Sequence, residues 1–404
     1  MSAVESGLFT RLKLDALGHE GFRLFFVLAA VHAALWPFLW VALHALELPL
    51  AENTPSTIWH AHEMIVGSFG AALIGFITTA VPEWTDTPVL RYRPLFIFAG
   101  LWAVPRLVGA LGADLFILPA GLLDLGWILL LLVYVLHRSW LRRTDRLTAF
   151  VFWLSLLAIA EGVARWGMFT VDYDLMELGT YGTGYAFLGL LGIALGRVNV
   201  QVTNLVLDPT EESSPFRPHP GRMDLAAGLV FVGMLGEVFG LSDPVQGFLW
   251  FAAGAGFVDR VGEAFIGRAF WRVEILTLAG SALLAGAGLM LYAASLIGAP
   301  FGTAPGLHLA FMGGLGLGVF AVFTIAGLIH SGHNLPFPKA MHLSFTLMLA
   351  SVAIRVLPDL GLMEHPFGVP YLAASLLWAA GSFTWLAIFW KYLTDRGSLG
   401  AHAC

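Results

Sequence analysis

The sequence of 404 residues predicts an all-α, polytopic membrane protein with about twelve transmembrane helices. Three observations support this fold class: an apolar composition, a series of apolar runs of spanning length, and basic residues confined to alternate connections. Hydrophobic residues make up 58% and charged residues 12%, whereas soluble domains have about 25% charged residues. No soluble fold hides so much apolar surface. A soluble enzyme, a disordered chain and a nucleic-acid-binding protein are therefore excluded.

The apolar runs are each predicted to be one membrane-spanning helix. A span takes about 20 residues, and lipid leaves helix as the conformation that satisfies the backbone. The short alternating segments of a closed barrel are absent. The eighth run is the least secure, because it is short and ends at Asp259 and Arg260. In chain order the predicted helices are residues 22–46, 58–82, 94–112, 115–137, 147–169, 179–203, 223–241, 244–258, 273–297, 305–329, 340–360 and 369–393.

The basic residues support this division and predict its orientation. Four of the 21 lie well inside runs. The other 17 lie in the terminal segments, in the even-numbered connections or, for Arg23 and Lys391, at the terminal ends of the first and last runs. Positive residues remain cytoplasmic, so both termini are predicted to face the cytoplasm. The 17 are, in chain order, Arg11, Lys13, Arg23, Arg91, Arg93, Arg138, Arg142, Arg143, Arg146, Arg217, Arg222, Arg260, Arg268, Arg272, Lys339, Lys391 and Arg396.

The connections predict a single membrane domain over residues 1–404. The longest polar connection, residues 204–222, is predicted to be cytoplasmic and is too short to be a domain. Met1–Phe22 is mixed in polarity and does not have the pattern of a cleavable signal peptide. Cys404 is the one cysteine, so intrachain disulfides and thiolate clusters are excluded. Any metal must be held by histidine, methionine or carboxylate.

Metal-ligand residue types open the second run, where His60, His62, Glu63 and Met64 fall within five residues. Helical residues turn by about 100° each, so the two histidines point to opposite flanks and are not expected to bind one ion together. They could serve two adjacent centres, or one could be a metal ligand and the other a hydrogen-bond donor that supports it. His60, Glu63 and Met64 share a face. The alternative is that interfacial histidine anchors a helix end.

Two further groups of histidines lie on the tenth run. His308 is predicted near the outer face, with Met312 one turn below it and a glycine-rich stretch following. Small residues of this kind allow close approach of a helix or a flat macrocycle, or simply ordinary packing. His330 and His333 end the same run near the inner face. About 33 Å of unbroken helix separates His308 from His330, so one metal cannot join them. Solvated interfacial histidine is the alternative at the inner face.

Charged residues inside the runs are the remaining candidates. Arg106, Arg165 and Arg355 fall near the predicted outer ends of their helices, where arginine can bind the propionates of a haem through bidentate hydrogen bonds. The alternative for two of them is a self-neutralised pair with Glu161 or Asp359, four residues away. Each of these interpretations leaves the arginine inside the membrane.

Glu237 lies inside the seventh run without a local partner. An intramembrane acid is a functional candidate by default, and we predict a part in proton delivery. The sequence contains no phosphate-binding loop, no nucleophile–His–Asp spacing and no zincin motif.

These motifs together resemble the NnrS family of bacterial membrane proteins. The resemblance rests on a short arginine–aromatic element at 21–26, the His-Ala-His-Glu-Met string at 60–64 and the glycine–arginine pair at 196–197. It extends to Leu307-His308 on a late glycine-rich helix and to the segment 330–332 that ends it. It covers most of the chain.

The resemblance implies a haem- and copper-containing protein of the bacterial inner membrane, linked to nitric oxide response and nitrosative stress. The family has no secure enzymatic reaction; if this protein is an enzyme, we expect a haem/copper oxidoreductase acting on nitric oxide, with a membrane electron donor. Twelve helices with intramembrane histidines also resemble, in architecture, the core subunits of haem–copper oxidases. The absence of a His-His dipeptide argues against oxygen reduction by their route.

The sequence therefore predicts a membrane protein that binds, senses or detoxifies nitric oxide through haem and copper. His60, His62 and His308 are expected to converge near the outer face, with Met64 or Met312 as soft ligands and Glu63 orienting an imidazole. The alternatives are a transporter of a transition metal or small solute, an accessory protein of a membrane reductase complex, and a structural partner without a cofactor.

Overall fold

The structure, a computed structural model, describes residues 14–46, 53–111, 114–369 and 371–400; Arg11, Lys13 and Cys404 lie outside them. In these ranges there is no strand, and twelve helices have 14 residues or more. They are α1 Gly21–Leu46, α2 Ser56–Thr85, α3 Arg93–Leu111, α4 Ile117–Arg142, α5 Thr148–Thr170, α6 Tyr173–Leu207, α7 Leu225–Val238, α8 Asp243–Arg260, α9 Val273–Ile297, α10 Ala304–Ile329, α11 Met341–Val356 and α12 Leu372–Leu393.

The protein is an all-α polytopic membrane protein, as predicted. Nine of the twelve helices in the described residues are long and apolar enough to cross a membrane. The other three are short or polar for a span: α7 has 14 residues, α11 has 16, and α8 carries Asp243, Asp259 and Arg260 among its 18. Run length alone does not decide which runs become spans, because the run 340–360 contains the 16-residue α11, whereas the shorter run 94–112 contains a candidate span.

Helix α6 is longer than its apolar run, which the sequence places at 179–203. It begins at Tyr173 and has 35 residues. Its first turn is polar, so hydropathy alone does not include it. The carboxylate of Asp172 accepts a hydrogen bond from the backbone N–H of Leu175 at 3.1 Å. This cap satisfies a backbone donor at the helix start and extends the helix outside the apolar segment.

The connection after α6 is ordered by one acid. The Asp208 carboxylate accepts hydrogen bonds from the hydroxyls of Thr210 and Ser213, both at 2.6 Å. These hydrogen bonds favour the ionised form and lower the pKa of Asp208 to about 2. Further along, the Asn204 side chain holds the backbone of Phe216 through a pair of hydrogen bonds. The connection is thus a structured polar loop.

Helices α2 and α10 share an unusual feature, a π-helical stretch that starts directly after a histidine. In α2 it covers Glu63–Phe69, after His62. In α10 it covers Leu309–Gly316, after His308. A π stretch inserts residues into the α-helical ladder, and such stretches occur often at functional sites. Both histidines were singled out by the sequence, so the π stretches add a second, independent signal to the same helices.

The chain forms two compact units. The first comprises Met1–Thr180, Phe323–Asn334 and Ser382–Cys404, within the described residues, and the second comprises Tyr181–Val322 and Leu335–Gly381. The first unit contains α1 to α5, and the second contains α7, α8, α9 and α11. Three helices, α6, α10 and α12, contribute residues to both. The prediction of one membrane domain stays a prediction.

Arg23 links the start of α1 to the end of α12 within the first unit. Its guanidinium donates to the backbone carbonyls of Tyr392, Leu393 and Ser398, at 2.9 to 3.3 Å, and forms an ion pair with Glu20. The side chain is fully buried. Carbonyls at a helix C-terminus lack intrahelical partners and carry partial negative charge, so the arginine satisfies both needs.

Candidate functional site

Seven titratable side chains of the first unit meet inside the membrane-spanning helices. We call this group the ionic cluster. Six of its members are buried and the seventh, Arg165, has a side chain 13% exposed. Each of the helices α1 to α5 contributes at least one member, so no single run of sequence contains the group. The members are His32, His62, Glu63, Arg106, Asp124, Glu161 and Arg165.

Asp124, on α4, joins two arginines. One carboxylate oxygen accepts a hydrogen bond from Arg106 at 2.5 Å and another from Arg165, and the other oxygen accepts from the indole of Trp127 at 3.0 Å. Arg165 also donates to Glu161 at 2.8 Å, four residues earlier on α5. Charge-assisted hydrogen bonds of this kind are the strong ones, and burial strengthens them. The two guanidiniums therefore hold both carboxylates in defined positions.

His62 enters the cluster from α2. Its Nε2 donates to the Glu161 carboxylate, with both oxygens at 3.0 Å. Its Nδ1 lies 3.7 Å from a carboxylate oxygen of Glu63. The imidazole is therefore placed between two acids, one on its own helix and one on α5.

Glu63 links the cluster to α1 and α3. One of its oxygens lies 3.0 Å from the Arg106 Nε, an ion pair, and 3.3 Å from the His32 Nε2. The other nitrogen of His32 is hydrogen-bonded to the Ser68 hydroxyl at 2.8 Å. His32, like His62, thus has both ring nitrogens near polar partners.

The cluster has one negative charge more than it has positive charges if its histidines are neutral. It contains three carboxylates, on Glu63, Asp124 and Glu161, against the two guanidiniums of Arg106 and Arg165. An unbalanced charge away from water is costly. A single additional cation, either a proton on an imidazole or a metal ion, restores or exceeds neutrality. The cluster is therefore suited to a cation.

Three members of the cluster have the spacing of a metal site. One ligand atom each from His62, Asp124 and Glu161 lie within 4.8 Å of one another, and all three residues are buried. Imidazole with carboxylate oxygen suits copper, iron, nickel and zinc. Two ligands about 2.1 Å from one ion are about 3 Å apart when they meet it at a right angle, which is the spacing of the His62 nitrogen and the Glu161 oxygens. An ion there would replace the proton through which the His62 nitrogen donates to Glu161. The donor set therefore fits a transition metal.

The π stretch of α2 shapes one wall of the cluster. The carbonyl of Gly67, inside the stretch, accepts a hydrogen bond from the indole of Trp102 at 2.8 Å. A Cβ on Gly67 would lie 2.5 Å from the His32 ring, so only glycine allows this approach. The π turn and the glycine together bring α2 against the His32 imidazole.

The other residues of the His-Ala-His-Glu-Met string lie elsewhere. The His60 ring packs on Trp40 of α1, with ring centroids 4.7 Å apart. Met64 is half-buried within the π stretch. Of the string, His62 and Glu63 thus belong to the cluster.

His308, in the second unit, has a defined tautomer. Its Nδ1 donates to the carbonyl of Ala304 at 2.9 Å, so in the neutral ring the lone pair is on Nε2. Met312 is half-buried in the π stretch that follows. There, the carbonyl of Gly314 accepts a hydrogen bond from the Ser281 hydroxyl at 2.8 Å, as Gly67 does from Trp102.

The inner histidines lie at the end of α10, in the first unit. The His330 Nε2 is 3.7 Å from a Glu83 oxygen, and its ring lies 5.6 Å from that of Phe22. His333 is exposed, and its Nδ1 donates to the carbonyl of Ser331 at 2.7 Å. Neither residue belongs to a metal-ligand group of three in the described part of the chain.

The arginines predicted for haem propionates all have acidic partners. Arg106 and Arg165 belong to the ionic cluster. Arg355, in the second unit, forms an ion pair with Asp359 and lies over the ring of Tyr371 at 4.3 Å. Their positive charges are thus already matched by carboxylates of this chain.

Glu237 belongs to a second polar group, the glutamate–tyrosine cluster, formed by Tyr185, Glu237, Trp250 and Tyr292 of the second unit. One Glu237 oxygen accepts from the Trp250 indole at 2.9 Å and from the Tyr292 hydroxyl at 3.3 Å. The Tyr185 hydroxyl donates to that of Tyr292 at 3.1 Å. The acid that had no local partner in sequence therefore ends a chain of hydrogen bonds from helices α6, α8 and α9.

Three residues of the ionic cluster, His32, Asp124 and Glu161, were not among the sequence candidates for the site, and Glu161 was considered only as the partner of Arg165. A signal for the other two was present: Asp124 is an acid inside an apolar run without a basic residue at i±3 or i±4, and His32 is a histidine in mid-helix. Intramembrane ionisable residues are functional candidates by default. Their partners lie on other helices, so the residue spacing along one helix does not predict these ion pairs and hydrogen bonds.

Fold and site together define a class: a multi-pass, all-α membrane protein with a buried, acid-rich cluster that can take a transition metal. The family described as NnrS protein matches residues 16–396. The chain belongs to the NnrS family, as the motifs indicated. Membership suggests a membrane protein of the nitric oxide response, in a family generally associated with metals. The comparisons with curated proteins and with solved structures found no match.

Proposed function

We propose that this protein binds copper in the membrane, at His62, Asp124 and Glu161, and uses it to bind nitric oxide. The observation that carries the proposal is the buried set of three ligand atoms within 4.8 Å of one another, in a cluster with an excess negative charge. Among the candidate cations, copper accepts both imidazole and carboxylate ligands. Bound copper would supply an open coordination position for a small ligand.

The protein residues around the ion have separate roles in this proposal. His62 and the two carboxylates bind it. Arg165, through hydrogen bonds to both Asp124 and Glu161, holds these ligands in place, as partners behind metal ligands commonly do. Arg106 and Glu63 anchor the same group to α3 and α2.

Haem does not fit the ionic cluster, because its arginines are paired with acids of the chain. The support for a haem ligand is better at His308. Its hydrogen bond to Ala304 selects the tautomer whose Nε2 carries the lone pair that an axial ligand needs. We therefore propose His308 as the haem ligand. His60, His330 and His333, with Met64 and Met312, stay predicted ligands of lower rank.

Metal content and the visible spectrum of the purified protein test these assignments. His62→Ala should lose copper and keep any haem, because it removes the imidazole of the buried ligand set. His308→Ala should abolish or alter the haem signal and keep copper. The matched control is His342→Ala, an exposed histidine at the start of α11, which should change neither.

Other outcomes decide between the remaining functions. Full copper content in His62→Ala would show that copper does not bind at this cluster. An unchanged spectrum in His308→Ala would exclude His308 as the haem ligand and favour His330 and His333. A wild-type protein without a Soret band or tightly bound metal would favour a transporter or an accessory role in a reductase complex.

We also propose that both termini face the cytoplasm of a bacterial inner membrane. The proposal rests on the distribution of loop arginine and lysine. Reporter fusions made after Asn53 and after Arg143 should report opposite sides of the membrane. If both fusions report the same side, the orientation and the number of spans before α5 are wrong.

A further inference from the structure

A cavity of about 40 Å³ lies beside the ionic cluster, within the first unit. We call it the Trp59 chamber. Its polar lining is formed by Thr54, Trp59, His62, Glu63 and Arg165, and Gly109 and Met168 also line it. A buried water needs about 10–15 Å³ of cavity volume. The chamber therefore has room for a few waters or one diatomic molecule, and for nothing as large as a cofactor ring.

A hydrogen-bond donor in the chamber has no partner among the described residues. Trp59 is 6% exposed, and none of the described residues accepts a hydrogen bond from its indole Nε1–H. Buried donors are nearly always satisfied, and a native exception calls for an explanation. The indole nitrogen lies beside Gly109. A ligand that accepts a hydrogen bond would satisfy it.

Gly109 keeps this part of the chamber open. A Cβ at this position would lie 3.0 Å from the Trp59 Nε1 and 3.4 Å from a Glu63 oxygen. Glycine inside a helix is less favourable than alanine, and Gly109 lies within α3 with an ordinary helical backbone. The space between the indole donor and the acid is thus preserved at a cost to the helix.

The chemistry of the lining limits the ligand. The donor requires an acceptor, the volume requires very few atoms, and the excess negative charge of the adjoining cluster disfavours an anion. Most of the remaining lining is aliphatic, which favours a molecule that also dissolves in lipid. A neutral diatomic molecule satisfies all four conditions.

We infer that the Trp59 chamber is the docking site for a neutral diatomic ligand, nitric oxide in the cell, which accepts a hydrogen bond from Trp59 beside His62. The inference rests on the proposed function, because His62 is the proposed copper ligand. Trp59 and Gly109 thereby become the residues that select the ligand by polarity and size. Water is the competing occupant.

Fluorine NMR of the purified protein labelled with 5-fluorotryptophan tests occupancy without any metal. The Trp59 resonance is identified by its loss in Trp59→Phe. Dissolved dioxygen, a paramagnetic neutral diatomic, should broaden the Trp59 signal strongly. It should broaden the signal of Trp127 far less, because Trp127 is fully buried and does not line the chamber.

Two alanine variants on the same helix make the comparison specific. Gly109→Ala should reduce the broadening of Trp59 to the level of Trp127. Gly100→Ala is the control, because a Cβ there has open space, and it should behave as wild type. If Gly109→Ala fails to fold, Ala120→Val fills the chamber from α4 and should give the same loss.

A second arm measures nitric oxide binding to the copper-loaded protein. Gly109→Ala should retain the wild-type copper content and bind nitric oxide about tenfold more weakly, a loss of about 1.4 kcal/mol. Trp59→Phe, which keeps a ring and removes the donor, should weaken binding by about threefold to tenfold. Trp166→Phe on α5, an exposed tryptophan, should have no effect.

Two results would contradict the inference that the Trp59 chamber binds a neutral diatomic ligand. One is equal broadening of Trp59 by dioxygen in wild type and Gly109→Ala. The other is a Trp59 resonance that ignores dioxygen and shifts between H₂O and D₂O, which would assign the chamber to water. Absence of copper from the wild type would instead refute the proposed function. The dioxygen comparison would then still show whether the chamber admits a neutral diatomic molecule.

Discussion

The two polar clusters of this protein are built in opposite ways. The ionic cluster of the first unit contains three acids, two arginines and two histidines, joined into one network by ion pairs and hydrogen bonds. The glutamate–tyrosine cluster of the second unit surrounds one acid with neutral donors: Trp250, Tyr292 and, through Tyr292, Tyr185. Both are placed within helices of an apolar protein.

The difference shows what each arrangement can do. Charges buried together depend on their partners, because removal of one leaves another uncompensated. Neutral donors satisfy an acid without a counter-charge, so the loss of one has a smaller effect. The ionic cluster, with its unbalanced negative charge, is thus the better cation site. The glutamate–tyrosine cluster is better suited to hold or pass a proton, and a part of Glu237 in proton delivery stays a prediction.

The largest effect should follow removal of one arginine from the ionic cluster. Arg106→Leu leaves Glu63 and Asp124 short of a positive partner and raises the excess negative charge to two. We expect a loss of about 3–5 kcal/mol in the free energy of unfolding, measured by denaturant titration in detergent micelles.

The matched control for this variant is Arg355→Leu. Arg355 has one acidic partner, Asp359, and its side chain is 11% exposed, so it can reach water more readily than Arg106. The loss should be smaller, about 1 kcal/mol. Equal losses in the two variants would show that the cluster gains nothing from its connectivity.

A smaller effect is expected in the glutamate–tyrosine cluster. Tyr292→Phe removes the hydroxyl that links Tyr185 to Glu237 and should cost about 1–2 kcal/mol, because the Tyr185 hydroxyl loses its acceptor. Glu237→Gln keeps an oxygen for Trp250 and Tyr292 and should cost less than about 1 kcal/mol. Thermal unfolding followed by circular dichroism measures both. A larger cost for Glu237→Gln than for Tyr292→Phe would mean that the charge of Glu237 is itself required.

The smallest effect concerns an ion pair at the surface. Arg396 lies 2.7 Å from Asp15, and its hydrogen bond and charge lower the pKa of Asp15 below the usual 3.8. A lowered pKa in the folded state contributes stability above pH 3.8, and this contribution is lost as the pH falls through the folded-state value. Both side chains are about half-exposed, so the contribution should be under about 0.5 kcal/mol.

Arg396→Gln measures this contribution directly. Its difference in unfolding free energy from wild type should be small at pH 7 and should shrink as the pH falls below 3.8 through the folded-state pKa of Asp15. A difference that grows as the pH falls would assign the effect to something other than the Asp15 pair.

Some contacts of the site could be predicted from residue spacing within single helices, and α2 and α5 show where that prediction ends. The 100° turn per residue separated His60 from His62, and in the structure His60 packs on Trp40 whereas His62 meets Glu161. Glu161 and Arg165 could be paired from their spacing. That spacing did not show that Arg165 also binds Asp124, 41 residues earlier.

The sequence by itself determined the fold class, the helices and the family. Apolar runs of spanning length force helix in lipid, and the motifs on α2 and α10 are local strings. Only the tertiary structure decided which charges meet, because the five helices of the ionic cluster approach one another through packing that no single run encodes. It also decided where α2 and α10 become π-helical and where Gly109 leaves a space, since both depend on the side chains of neighbouring helices.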